Sequence, residues 1–265
     1  MADDSVLYDS DGRIAVITLN RPENRNSMTP DVMARFRERV AQARGERELR
    51  VLVITGRGRS FCAGADFRSA SPARTPEADD ARLPHERSFA SYEAFLDVLD
   101  VEVPTLAAMN GHAIGGGLGL ALVCDLRVAN REARYGANFA RLGFHPGMAV
   151  SYLLPRIVGL PHAVDLLFSG RLVSGDEAAA LGLVHEAVAP EEVAAAARRR
   201  AETIAGCAPL AVRLIKRSLY RGAGLDARGA AWAEAFAQSA TLATEDAREG
   251  IRALLEKRPP TFRGR

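Results

Sequence analysis

Cysteine, lysine and long apolar runs are all scarce in this chain of 265 residues. Its three cysteines, Cys62, Cys124 and Cys207, lie far apart without a CxxC pair, so a disulfide framework and a zinc site are excluded. No apolar run reaches the roughly 18–20 residues that a membrane-spanning helix needs. The amino terminus is acidic and lacks a cleavable leader. We therefore expect a cytoplasmic protein with no metal and no membrane partner.

Neither sign of charge is in excess, since 35 basic residues face 33 acidic ones. Nucleic-acid binders usually carry a strongly basic face, so we expect no nucleic-acid partner. Among the basic residues only Lys216 and Lys257 are lysine, and the rest are arginine. A GC-rich genome accounts for most of this bias, but it makes a lysine at a ligand position stand out.

The two halves of the chain have different patterns. In the first half, apolar strand patterns alternate with helical ones, and the strands are predicted at residues 6–8, 14–19, 51–55, 105–109 and 126–129. After residue 148, helices are predicted at about 149–157, 161–168, 175–181, 190–206, 208–222, 227–240 and 244–257. We therefore expect an α/β core over residues 1–200 and a helical region over 201–265.

A polar segment interrupts the first half at residues 68–87, which are rich in serine, alanine, proline and charge. Such a composition cannot bury much apolar surface, and a loop of this length is typical of a lid or a mobile segment. We predict a loop over the whole segment.

Two glycine-containing segments follow buried strands. Residues 60–67 read SFCAGADF, where the small residues let a ligand approach the backbone and Gly64 can adopt a positive φ. Residues 110–119 read NGHAIGGGLG and open a helix, whose N-terminal N–H groups suit a developing oxyanion. The chain has no GxGxxG, Walker or GxSxG pattern beside them.

In order and spacing, these segments resemble the crotonase (enoyl-CoA hydratase/isomerase) superfamily over nearly the whole chain. The shared features are Arg21-Pro22 with Asn26, residues 61–66, Asn110-Gly111 with the three glycines 115–117, Cys124-Asp125, residues 155–159, residues 179–184, Glu249-Gly250 and Glu256-Lys257-Arg258. The resemblance implies a ββα spiral core with a helical C-terminal trimerisation region, assembled as a homotrimer or a dimer of trimers.

The resemblance also implies a substrate and a site. The family binds acyl-CoA thioesters of fatty acid metabolism and holds the thioester carbonyl between two backbone N–H groups, which here are those of Ala65 and Gly116. Coenzyme A is part of the substrate, and no other cofactor is implied. The substrate-binding residues implied by the resemblance are Arg25, Ala63, Asp66, Phe67, Arg68, Phe139 and Lys257.

The sequence departs from the family at its two glutamates, whose positions hold Gly119 and Phe139. Each positioned acid or base contributes about 10²–10⁴-fold, so efficient hydration by the usual route is not expected. His145 is the first candidate to replace them, because a neutral imidazole is suited to proton transfer near neutral pH. Asn138 and Arg141 are weaker candidates.

Several further residues have no catalytic assignment. His85 and His112 are weaker candidates still, and Cys62 is interpreted as packing because no base is evident beside it. Leu142, Phe144 and Met148 join Phe139 in suggesting an apolar pocket, without giving its length.

Two hypotheses follow. The first is an enzyme in which His145 or bound water replaces the glutamates, and its reaction could be isomerisation, hydrolysis, decarboxylation or retro-Claisen cleavage. The alternative is a non-catalytic acyl-CoA-binding protein that keeps the pocket but lacks the chemistry. A peptidase of the related ClpP-like branch is set aside, because it would need a serine near the glycine helix.

Overall fold

The fold is described by a computed structural model that covers residues 4–66 and 82–265. Its strands are Val6–Ser10 (β1), Ile14–Leu19 (β2), Val51–Gly56 (β3), Ser60–Cys62 (β4), Thr105–Met109 (β5), His112–Ile114 (β6), Leu126–Asn130 (β7), Arg134–Gly136 (β8), Val173–Ser174 (β9) and Glu186–Val188 (β10). Its α-helices are Pro30–Gly45 (α1), Pro84–Ala90 (α2), Glu93–Leu96 (α3), Gly116–Val123 (α4), Val150–Val158 (α5), Leu160–Ser169 (α6), Gly175–Ala180 (α7), Val193–Ala205 (α8), Pro209–Arg221 (α9), Ala227–Leu242 (α10) and Glu245–Leu255 (α11).

The first sheet has six strands in the order β1-β2-β3-β5-β7-β10. β1 and β2 form an antiparallel hairpin, and the remaining neighbours are parallel. Alternate side chains of β3 belong to two different cores. Leu52 and Ile54 pack in the cluster that includes Phe36 of α1, whereas Val51 and Val53 pack in the cluster that includes α8. Burial on both faces explains the continuous apolar runs from which these strands were predicted.

The second sheet has four short strands in the order β4-β6-β8-β9, with β4, β6 and β8 parallel. Its strands contain only two or three residues, too few for a periodic pattern, and sequence analysis missed the whole sheet. β4 and β6 lie within the two glycine-containing segments: β4 ends at Cys62, two residues before Gly64, and β6 ends at Ile114, immediately before Gly115. Because parallel strands have their carboxyl ends at one edge, the sheet brings both segments together.

Helix α4 begins inside the second glycine segment, at Gly116, and is buried along its entire length. A Cβ on Gly117 would collide with the backbone carbonyl of Cys62, whose carbon would lie 2.6 Å away, so only glycine fits. At the other end of the helix, the buried guanidinium of Arg127 donates to the carbonyls of Cys124 (2.6 Å) and Leu183 (2.8 Å). A cation at this end opposes the negative end of the helix dipole.

Helix α8 runs continuously through residue 200, where the boundary between the core and the helical region was predicted. Its apolar side packs on the first sheet through Val193, Ala197 and Ala201. The helix that packs on the first sheet therefore ends at Ala205, five residues after the predicted boundary.

The three helices after α8 are tied to the core by polar contacts. Arg50 donates to the carbonyls of Ala205 and Phe262, both at 2.8 Å. Lys216 of α9 forms an ion pair with Asp125 at 2.8 Å. By contrast, α9 and α10 contain no buried residue among those described. Large apolar side chains therefore remain exposed on this region, including Ile215, Leu219, Trp232, Phe236, Leu254 and Leu255.

The predicted loop over residues 68–87 was wrong at its end, because α2 begins at Pro84. Proline is well placed in the first turn of a helix, and the carboxylate of Glu86 accepts from the backbone N–H of Leu83 at 2.7 Å. The part of that prediction before residue 82 lies outside the described residues. No helix in the described ranges is long and apolar enough to cross a membrane.

Candidate active site

A cavity of about 580 Å³ opens at the carboxyl edge of the second sheet. One side is formed by the two glycine segments, and the other by the turn over residues 138–148. Of the predicted site residues, the cavity brings together Ala63, Ala65, Gly116, Phe139 and His145.

The glycine segments touch at Gly64, which has a φ of 80°. A Cβ there would lie 2.7 Å from the carbonyl oxygen of Ile114 and 3.0 Å from the nitrogen of Gly116, so the close approach requires glycine. Two hydrogen bonds hold the first segment in place: Met28 N–H donates to Gly64 O at 2.8 Å, and Ala63 N–H donates to Arg25 O at 3.1 Å.

Two backbone donors of this side line the cavity without a protein acceptor. Gly116 is the first residue of α4, so its N–H has no partner within the helix. Across residues 4–66 and 82–265, neither the N–H of Gly116 nor that of Ala65 donates to a protein group. The two donors can therefore serve an oxygen of a bound molecule.

The opposite side is largely apolar. The rings of Phe139 and Phe144 pack edge to face, with centroids 5.5 Å apart. The ring of Phe139 reaches across to Gly115, where it would lie 3.7 Å from a Cβ. The apolar pocket expected from the sequence is present, and Leu142 and Met148 also line it.

Met148 fills the space above Gly119. A Cβ on Gly119 would lie 2.9 Å from the Cβ of Met148 and 3.0 Å from its Sδ. Met148 is buried and has a φ of 55°, as Ala149 has a φ of 54°. The left-handed turn thus directs the thioether into the space that a side chain at position 119 would need. Sequence analysis placed Met148 in the pocket but gave no sign of this contact.

None of the described residues that line the cavity is an aspartate, a glutamate or a cysteine. His145 supplies an imidazole, and its Nδ1 lies 2.7 Å from the carbonyl oxygen of Pro146. Because a carbonyl only accepts, we assign the proton of the neutral ring to Nδ1, which leaves Nε2 as the acceptor. Asn138 also lines the cavity, whereas the guanidinium of Arg141 donates to Ser169 O at 2.8 Å.

Two other residues considered in the sequence, Cys62 and His112, are not placed to act in the cavity. Cys62 is completely buried, and burial raises the pKa of its thiol to about 12, which keeps it protonated. His112 accepts at Nδ1 from the backbone N–H of Arg134 at 2.9 Å. Partial burial lowers its pKa, and the positive charge of Arg59 lowers it further. Neither residue lines the cavity.

Three of the remaining predicted residues, Arg25, Asp66 and Lys257, are described by the structure and do not line the cavity. Arg25 contacts the first glycine segment through its carbonyl, and Asp66 lies within that segment, directly after Ala65. Lys257 follows α11 in a left-handed conformation with a φ of 54°. Phe67 and Arg68 lie outside the described residues. Sequence analysis missed Met28, Ser88, Ser91 and Tyr92, which also line the cavity and belong to no recognised motif.

Residues 9–265 match the family model for enoyl-CoA hydratase/isomerase. The chain belongs to this family. It is 35% identical over 263 residues to the crotonyl-CoA hydratase of Syntrophomonas wolfei, covering 99% of each chain. It is 34% identical over 264 residues to the (E)-benzylidenesuccinyl-CoA hydratase of Thauera aromatica, covering 98% of this chain and 99% of the relative.

Solved structures of the enoyl-CoA hydratase/isomerase family agree with the architecture. The crystal structure of an enoyl-CoA hydratase from Bacillus anthracis superposes with a TM-score of 0.88 at 31% identity, covering 98% of this chain and 100% of that one. The predicted α/β fold, with a crotonase-like core and a helical C-terminal region, is confirmed.

Proposed function

We propose that the protein is an enzyme that binds an acyl-CoA thioester and stabilises its enolate through the backbone N–H groups of Ala65 and Gly116. The observation that carries the proposal is the pair of backbone donors that line one cavity without a protein acceptor. Two donors aimed at a thioester oxygen stabilise the negative charge that forms there when the α-carbon loses a proton. The names of the relatives, which are hydratases of CoA thioesters, support this substrate class.

The proposed chemistry differs from efficient hydration. Gly119 and Phe139 occupy the positions that we assign to the glutamates of the hydratases, and the described lining contains no carboxylate. Met148 supports this assignment, because its thioether takes the space that a side chain at position 119 would need. Without carboxylates to activate water, hydration loses about 10²–10⁴-fold for each missing group.

His145 is the proposed proton-transfer group. Its Nε2 is the accepting nitrogen of the neutral ring and can take a proton from the α-carbon of a thioester held by Ala65 and Gly116. Loss of the α-proton to His145 forms the enolate in an isomerisation. In a decarboxylation the same enolate forms when the bond to carbon dioxide breaks, and in a retro-Claisen cleavage it forms when the bond between the α- and β-carbons breaks, so that His145 would then return a proton to the α-carbon. Hydrolysis is a further candidate.

The rest of the substrate is assigned to residues around the cavity. We propose that Arg25, Asp66, Phe67, Arg68 and Lys257 contact the coenzyme A portion, with no additional cofactor. We further propose that residues 201–265 assemble the chain into a homotrimer or a dimer of trimers, with Lys257 reaching a neighbouring site. The exposed apolar side chains of α9, α10 and α11 support this assembly, because a second copy would remove them from water.

A panel of acyl-CoA thioesters, studied by calorimetry and product analysis, tests the proposal. We expect micromolar binding, turnover of at least one thioester, and hydration of crotonoyl-CoA that is at least about 100-fold slower than in a glutamate-bearing hydratase. Binding without turnover of any thioester would favour the non-catalytic acyl-CoA-binding protein. Rapid hydration of crotonoyl-CoA would contradict the proposed role of the missing carboxylates.

A further inference from the structure

A second cavity of about 420 Å³ lies beside the first, between α1 and the segment that contains α2 and α3. The two cavities have two lining residues in common, Met28 and Ser91. The thioether of Met28 packs over Gly116, and its methyl carbon would lie 3.4 Å from a Cβ at that glycine. One flexible side chain therefore borders the proposed thioester site on one side and the second cavity on the other.

Apolar side chains form more than half of the lining of the second cavity. Besides Met28, they are Pro30, Met33, Ala34, Ala90 and Ala94. The helices on its two sides are held together in the core, where Phe36 of α1 packs edge to face on Phe95 of α3 at 4.8 Å. This contact holds α3 against α1, so two of the helices that border the cavity have a fixed relative position.

Arginine side chains also border the cavity, but the charge of Arg37 is compensated. Its guanidinium forms ion pairs with Glu93 and Asp97, both at 2.9 Å. The other two arginines are Arg82 and Arg87, and the guanidinium of Arg87 donates to the carbonyl of Arg82 at 2.5 Å. The rest of the lining is mainly two thioethers and three alanine side chains. This lining favours a hydrocarbon chain over a polar group.

We infer that the second cavity holds the far end of an unbranched acyl chain, with Met28 as the side chain over which the chain passes. The inference rests on the proposed function, since the chain belongs to the thioester bound in the first cavity. Methionine has three rotatable bonds and an adaptable thioether, so it can move aside for a chain without leaving a fixed gap. The substrate class is then medium-chain acyl-CoA rather than short-chain acyl-CoA.

The expected effect on affinity follows from the burial of methylene groups. Each methylene that leaves water for an apolar cavity strengthens binding about three- to fourfold. Octanoyl-CoA has four more methylenes than butanoyl-CoA, and both are saturated, so neither has the double bond that hydration needs. We expect octanoyl-CoA to bind at least tenfold more tightly.

Two matched substitutions on α1 test where that gain arises. Ala34 is exposed and lines the second cavity, so Ala34→Phe should fill it without disturbing the core. Ala41 is also exposed on the same helix but does not line the cavity, which makes Ala41→Phe the control. Calorimetry should show that Ala34→Phe weakens octanoyl-CoA binding at least tenfold and changes butanoyl-CoA binding less than twofold. Ala41→Phe should match the unsubstituted protein for both.

A substitution on the other side of the cavity provides an independent test. Ala90→Phe, on α2, should also weaken octanoyl-CoA binding at least tenfold and change butanoyl-CoA binding less than twofold. The inference would be overturned if the unsubstituted protein bound the two thioesters with equal affinity, or if both variants bound octanoyl-CoA as tightly as the unsubstituted protein. Binding of butanoyl-CoA would still support the proposed function in either case. Failure to bind even butanoyl-CoA would contradict the proposed function and the inference together.

Discussion

The two sides of the candidate active site present different chemical groups to the cavity: one presents backbone N–H groups and the other presents side chains. On the glycine side, the proposed chemistry relies on backbone N–H groups of Ala65 and Gly116, next to a buried helix. On the opposite side, the proposed chemistry relies on side chains of a turn, of which His145 is exposed. Backbone donors persist through most side-chain substitutions, whereas the turn can exchange one side chain for another. The difference suggests that the first side determines the substrate class and the second determines the reaction.

The two sides also tolerate change differently. Gly64 and Gly117 are in close contact with backbone atoms of neighbouring segments, so any side chain there forces the sheet and the helix apart. Gly143, in the turn, has no heavy atom within 4 Å of a Cβ. Its requirement for glycine comes only from its φ of 83°. Substitutions on the two sides should therefore have separable effects on turnover and on stability.

Removal of a backbone donor should have the largest effect. Ala65→Pro deletes the N–H of residue 65, which donates to no protein group in the described ranges, so the loss should fall on the bound oxygen. We expect the turnover of the best thioester to fall about 10²–10³-fold. Ala65→Ser keeps the N–H and should stay within threefold of the unsubstituted protein. A fall of less than tenfold in Ala65→Pro, with the melting temperature unchanged, would remove this donor from the mechanism.

A side chain at Gly117 of α4 should have the next largest effect, which is a loss of stability. In Gly117→Ala, the added methyl meets the carbonyl of Cys62. Overpacking of this kind lowers the free energy of unfolding by about 2–3 kcal/mol, which urea unfolding can measure. Gly45→Ala is the control, because nothing lies within 4 Å of its Cβ at the end of α1. If the two variants were equally stable, the glycine side would be less rigid than its contacts imply.

Loss of the imidazole in the turn should have the smallest of the three effects, and on rate alone. We expect His145→Ala to lower turnover more than tenfold and to leave the affinity for the thioester within about twofold. His85→Ala changes an exposed histidine of α2 outside the cavity and should alter neither quantity. An unchanged rate in His145→Ala would assign the proton transfer to another group.

The sequence predicted those elements that a repeated pattern of apolar residues within the segment itself indicates. The long strands of the first sheet were found because both of their faces are buried, which produces continuous apolar runs. The second sheet was missed because β8 and β9 contain only three and two residues, and their pairing depends on the rest of the fold. Helix α2 was missed because the surrounding composition is typical of a loop. Only Pro84 in its first turn and the hydrogen bond from Leu83 N–H to the Glu86 carboxylate mark its start.

The same distinction applies to the site. Ala65 and Gly116 lie in motifs that are contiguous in the sequence, and the cavity contains both. The contact between Met148 and Gly119 depends on two successive non-glycine residues with positive φ, Met148 and Ala149. Such a conformation is rare and is determined by surrounding packing rather than by residue type. The second cavity likewise depends on how far α1 stands from α2, which no local pattern records.

The position of Met148 also constrains how this sequence could evolve. A glutamate acquired first at position 119 would be forced against the thioether and would overpack a buried helix. A smaller residue acquired first at position 148 would leave a hole that costs about 2–5 kcal/mol. Either substitution alone should therefore lower the free energy of unfolding, whereas the two made together should compensate each other. Positions 119 and 148 are thus energetically coupled, and neither side chain can be exchanged freely unless the other changes with it.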